Sequence, residues 1–128
     1  LHQSLASSKQ INNLERTHVD QLADINLAPM PDLLTADLSF ISLRRALTIP
    51  LGLPYPLKDA ILLVKPQFEL GPNATNNRGI VVDKHQQEKA VADVCTFLRA
   101  HNWAIENITQ SEITGADGNQ EWVLWAKR

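Results

Sequence analysis

Leu33-Leu34-Thr35-Ala36-Asp37 and Ala60-Ile61-Leu62-Leu63-Val64-Lys65 are two short apolar runs, each closed by a charged residue. Runs of this length, preceded by turn residues, read as strands covered on both faces, the pattern of a parallel sheet. In open α/β sheets, ligands bind in the crevice beyond the carboxyl ends of the strands. Asp37 and Lys65 are therefore expected to face each other across such a crevice, on strands joined by one crossover. That meeting of an acid and an amine is the first pointer to an active site.

The flanking segments predict what surrounds these strands. Residues 1–8 look like the tail of a helix, residues 10–14 a short strand, and residues 19–28 a weak helix or irregular connection. Pro29-Met30-Pro31 blocks helix ahead of the first run. After Asp37, the spacing of Phe40, Leu43 and Leu47 predicts a helix over residues 39–47, with Arg44 and Arg45 on its outer side. Pro50, Gly52, Pro54 and Pro56 predict a rigid linker. Pro66 demands an extended Lys65, so no helix is expected to continue from that strand. Residues 71–79 read as a polar, turn-rich loop and residues 80–82 as a short extended piece. Asp83 and Gln86 resemble a capping box at the head of a helix over residues 84–101, which Asn102 ends. Val91, Val94, Cys95 and Leu98 form its apolar stripe. Residues 103–109 and 122–126 read as strands around a Gly-rich turn, an antiparallel pair finishing a mostly parallel sheet.

Composition narrows the classes. A chain of 128 residues with 44% hydrophobic and 20% charged residues suits one domain with a sizeable core. A net charge of −2 gives no global basic field, so any RNA contact must come from a local patch or a separate module. The single cysteine, Cys95, excludes an internal disulfide and fits a reducing compartment, hence an expected cytoplasmic location. No apolar stretch approaches the roughly 18 residues of a membrane span, and no signal-peptide pattern is present, so no membrane partner is expected. His2, His18, His85 and His101 lack metal-ligand spacing, and no metal site is expected. Trp103, Trp122 and Trp125 are assigned to sheet packing; Arg44, Arg45 and Arg78 could touch phosphates, with solvated arginines the default reading. Glu69 could either support Lys65 or face water.

Three blocks carry a family resemblance: Asp37-Leu38-Ser39-Phe40-Ile41-Ser42-Leu43, Leu63-Val64-Lys65-Pro66-Gln67-Phe68-Glu69 and Gly118-Asn119-Gln120-Glu121. They resemble consecutive signatures of the TlyA (hemolysin A) group of FtsJ-type RNA ribose methyltransferases. Leu14-Glu15-Arg16-Thr17-His18-Val19 resembles the signature after that family's third strand, where asparagine is usual at the His18 position. The resemblance runs over residues 1–128 and is most specific in Lys-Pro-Gln-Phe-Glu. It implies a Rossmann-like methyltransferase fold, S-adenosylmethionine as methyl donor, and a ribose 2′-hydroxyl as acceptor. The implied partner is ribosomal RNA or a ribosomal subunit. FtsJ-type enzymes carry a Lys-Asp-Lys-Glu catalytic set, and Asp37, Lys65 and Glu121 match its last three members. The resemblance also places Asp37 and Thr17 on the donor side, Thr17 near the adenine.

The first lysine of the set has no counterpart, nor have the family's first two strands and glycine-rich turn. No Gly-x-Gly occurs among the five glycines. An S4-type RNA-binding domain is also without counterpart. Residues 1–128 are therefore expected to be the C-terminal portion of a single methyltransferase domain, with an incomplete sheet left as a hole or a rearranged edge. Such a portion alone is expected to be inactive.

The chemistry this implies is in-line displacement, with alignment of the two reactants supplying much of the benefit. To take the hydroxyl proton Lys65 must first shed its own, which burial or a nearby cation favours. Asp37 favours the charged amine instead, so its expected roles are to orient Lys65 and line the donor site. Glu121 would fix a lysine or the acceptor ribose. Two other readings stand beside this one: a non-catalytic module that keeps the fold, and a membrane-active hemolysin. Against the last, the apolar stripe over residues 84–101 is narrow for a lipid face.

Overall fold

The computed structural model describes residues 2–128 as a four-stranded sheet with one long helix and several single-turn helices on one side. β1 (Leu33–Ala36) pairs in parallel with β2 (Asp59–Val64). β4 (Trp122–Lys127) runs antiparallel to β2, and β3 (Ala104–Gln110) antiparallel to β4, giving the order β1-β2-β4-β3. The sheet thus starts parallel and closes on the expected antiparallel pair.

Strand alternation decides which face is buried. Ala60, Leu62 and Val64 of β2 and Leu124 and Ala126 of β4 are fully buried. They meet Val91, Val94 and Leu98 of α5 (Lys84–Ala100), Leu43 of α2 (Leu43–Ala46) and Leu51 of α3 (Thr48–Gly52). The opposite face is open. Leu33 is 50% exposed and Ile61 and Val123 are 37% exposed, so β1 is not covered on both faces as its run suggests. An apolar run reports the preference of its residues; among the described residues no helix layer stands over that side to satisfy it.

Several local expectations are corrected by named causes. Residues 10–14 form no strand and join no ladder of the sheet. α1 (Gln3–Ala6) is the short helix expected over residues 1–8, of which Leu1 lies outside the described residues. Residues Val19–Asp24 form a 3₁₀ turn closed by a reciprocal box between His18 and Gln21. The helix after Asp37 starts only at Leu43, where the Ser42 hydroxyl accepts from the Arg45 amide. Phe40 is outside it, at φ 64 and 93% exposed. Pro50 and Gly52 belong to α3 rather than to a linker, because a proline in the first turn loses no hydrogen bond. Lys65 is extended as required (φ −112, ψ 99), yet α4 (Pro66–Glu69) begins at once with Pro66 in its first position. Proline restrains the residue before it and suits the first helical position itself.

α5 follows its periodicity closely and ends where Asn102 turns left-handed at φ 62. Asp83 accepts from the His85 amide at 2.8 Å, but Gln86 does not complete the box. Instead Gln87 donates to the Val81 carbonyl at 2.7 Å. Residues 80–82 join no ladder, although Val81 is buried. Trp103 is buried in the core, while the Trp125 indole donates to Asp59 at 2.8 Å. No helix among the described residues is long and apolar enough to cross a membrane.

Candidate active site

The parallel register Ala36↔Leu62 brings the carboxyl ends of β1 and β2 to one rim. Asp37 follows β1 directly and Lys65 follows β2 directly. The Lys65 Nζ lies 2.6 Å from Asp37 Oδ1, so the two charges meet as the strand ends predict. Glu121, one residue ahead of β4, places Oε1 3.9 Å from the same nitrogen. The Lys65 ammonium also donates to the Ser39 hydroxyl at 3.4 Å, a contact the sequence did not flag although Ser39 sits only two residues past Asp37. The side chains of Lys65 and Glu121 are 13% and 11% exposed, whereas that of Asp37 is 71% exposed. Two carboxylates around one amine leave a formal surplus of one negative charge, and the exposed Asp37 presents it to whatever lies beyond the rim.

Glu121 is aimed by a clip rather than by its strand alone. In the preceding loop Gly118 turns at φ 85, its amide donating to the Gly115 carbonyl at 2.8 Å. Asn119 is 1% exposed and bridges to a different segment: its Oδ1 accepts from the Val81 amide and its Nδ2 donates to the Gly79 carbonyl, each at 3.0 Å. Gly115 completes the device. A Cβ there would stand 2.6 Å from Glu121 Oε1, so only glycine leaves room for the carboxylate to approach Lys65. Gly115→Ala should therefore shift the flexible carboxylate and leave the fold standing. We expect activity to fall by about 10- to 100-fold, with stability changed by less than about 0.5 kcal/mol. Rate assays beside urea unfolding curves measure both.

A cavity of about 120 Å³ opens at this point, lined by Ser39, Phe40, Lys65, Gln67, Asp117 and Glu121 among others. The exposed Phe40 ring leans on Phe68, with centroids 5.3 Å apart. Glu69 neither supports Lys65 nor faces water, correcting both options open in the sequence. Its carboxylate accepts from the Leu43 amide at 2.6 Å and from Arg44 Nε at 3.2 Å, and Arg44 Nη2 donates to the Glu69 carbonyl at 2.8 Å. Arg44 is thus an ion-pair partner and not a solvated arginine. Burial pushes the Glu69 carboxyl above the ordinary carboxylate value of 4.5, with the Leu43 amide and Arg44 opposing. No local pattern links residues 25 positions apart, so this clamp was invisible in the sequence. Thr17 lies in the turn before the first 3₁₀ segment, its hydroxyl donating to the Glu15 carbonyl at 3.3 Å. It is not among the residues lining the Lys65 cavity.

A family model for FtsJ-like methyltransferases matches residues 1–128. The chain is 35% identical over 126 residues to a 23S rRNA (cytidine-2′-O)-methyltransferase TlyA of Campylobacter jejuni, covering 98% of this chain and 48% of that protein. It is 33% identical over 124 residues to a 16S/23S rRNA (cytidine-2′-O)-methyltransferase TlyA of Mycobacterium tuberculosis, covering 97% and 46% respectively. A crystal structure from Lactococcus lactis, described as that of a candidate hemolysin, superposes with a TM-score of 0.86 at 25% identity, over 98% of this chain and 60% of that one. The chain therefore spans a little under half the length of these curated relatives. The match over its whole length, together with the acid, amine and acid gathered at one rim, is sufficient: the chain belongs to the FtsJ-like methyltransferase family.

Proposed function

We propose that this protein methylates a ribose 2′-hydroxyl of ribosomal RNA with S-adenosylmethionine as donor, and that residues 1–128 are the C-terminal portion of its single methyltransferase domain. The observation that carries the reading is the convergence of Asp37, Lys65 and Glu121 on one nitrogen at the strand ends. The names of the rRNA-modifying relatives point the same way. A cytoplasmic setting agrees with the substrate and with the buried, free Cys95.

The residues present fit one end of a cationic donor. The surplus negative charge of the site and the 71% exposure of the Asp37 side chain offer a carboxylate to a sulfonium or an ammonium group. Thr17 is the second donor-side residue of this reading. When bound, the donor supplies an electrophilic methyl group on a sulfonium, which leaves as a neutral thioether. Lys65, partly shielded by Phe40 and Gln67, is the group that meets the acceptor hydroxyl. The amine of Lys65 would hold the acceptor hydroxyl and, when deprotonated, would take its proton as the methyl group is transferred. Asp37 and Glu121 hold that amine in place and stabilise it once protonated. Positioning by two carboxylates is the larger part of what these residues contribute.

The test uses the full-length protein with ribosomal subunits from cells lacking its gene and a methyl-labelled donor. Label should appear as a 2′-O-methylated nucleoside after digestion and mass spectrometry. Label on a base, or none at all, overturns the proposal.

A further inference from the structure

Phe40, Gln67 and Phe68 line two cavities at once. One is the small space containing Lys65 and Glu121; the other is larger, about 490 Å³, and reaches out past Arg45 and Leu70. That volume falls in the range of about 300–1,000 Å³ usual for small-molecule sites. The two spaces are neighbours that share these three side chains.

Two polar groups at the larger cavity lack partners. The Arg45 guanidinium makes no ion pair or hydrogen bond among the described residues, while the adjacent Arg44 is committed to Glu69. On a chain of net charge −2, an unpaired cation beside the reaction centre is not part of a general basic surface. The Gln67 Oε1 is buried without a hydrogen-bond partner, a rare condition for an amide oxygen. Gln67 is itself one of the residues lining the cavity. One site thus combines an aromatic surface, a cation and an acceptor awaiting a donor. Aromatic faces beside a cation are how single-stranded nucleic acids are held.

We infer, resting on the methyl-transfer reading above, that the larger cavity takes the nucleotide adjacent to the target nucleoside in a single strand of RNA. Its phosphate meets Arg45, its base lies against Phe68, and a hydroxyl or amino group of the strand donates to Gln67. The shared side chains give the substrate requirement. Neighbouring bases stacked in a duplex leave no room for Phe40 and Phe68 between them, so the acceptor must present two unstacked nucleotides.

Fluorescence anisotropy of the full-length protein with a labelled, unstructured RNA 12-mer and with its duplex tests the site directly. The single strand should bind at least about 10-fold tighter than the duplex. Arg45→Ala should weaken it by about 10-fold and reduce the slope of log affinity against log salt by about 0.7, one phosphate contact on a single strand. Gln67→Ala should raise KM for ribosomal subunits by about 10-fold. Arg45 is exposed, so its variant should keep the wild-type melting temperature, and Arg45→Gln serves as a second test. Equal binding of duplex and single strand, or an unchanged salt slope, overturns the inference even where wild-type protein methylates ribosomal RNA. If wild-type protein methylates nothing but the single-strand preference and slope change are found, the cavity assignment stands and the methyl-transfer reading falls.

Discussion

Lys65→Ala should lower methyl transfer to ribosomal RNA by about 10²–10⁴-fold, the range that one positioned proton-transferring side chain supplies. The argument is geometric. Lys65 is the common partner of Asp37 at 2.6 Å and Glu121 at 3.9 Å, so removing it leaves two carboxylates with nothing to orient. Lys65→Arg should not rescue the rate. A guanidinium keeps its charge at any working pH and cannot take a proton, and its planar fork differs in shape from a compact ammonium. Calorimetry should find donor binding to the full-length protein changed by less than about three-fold, because the exposed Asp37 remains. Should the arginine variant keep a tenth of the wild-type rate, Lys65 serves as a fixed charge and not as a proton acceptor.

Glu69→Ala should cost about 2–3 kcal/mol in urea unfolding. Its loss orphans the amide of Leu43, which is 2% exposed, and breaks the link that ties α2 to α4. Arg44, 38% exposed, can turn to water, and the figure is set below that of a fully buried pair for this reason. The same residue sets a pH dependence. Burial raises its folded-state value above 4.5, so the folded protein binds this proton more tightly than the unfolded chain does. Its contribution to stability is complete below about pH 4.5 and is lost as pH rises through the raised value. Wild type should therefore lose ground to Glu69→Gln between pH 4.5 and neutrality, and the gap between them should be flat at lower pH. A gap that moves the other way would show the Arg44 pair outweighing burial.

Those two side chains also mark how far the sequence could be read. Lys65 and Asp37 were legible because parallel neighbours end at one rim, so two charged strand ends must meet if the strands pair. α5 was legible because its apolar stripe repeats over nearly five turns between a clear cap and a left-handed asparagine. The resemblance added Glu121, which no spacing would have chosen. Glu69 and Arg44 were illegible, since their contact depends on α2 and α4 packing together across 25 residues of chain. Phe40 misled because its apolar character fits a helical stripe, while its backbone takes a left-handed turn. Residues 10–14 misled for another reason: a short apolar-polar run does not by itself make a strand, and this one joins no ladder.

The open side of β1 has its own consequence. Its outer backbone groups have no strand beside them among the described residues, and Leu33 stands half exposed on the uncovered face. Such an edge is open to pairing, and in the domain proposed above it is where further strands of the sheet would add. The strand that holds Asp37 at the reaction rim is thus also the seam at which the rest of the sheet would be joined.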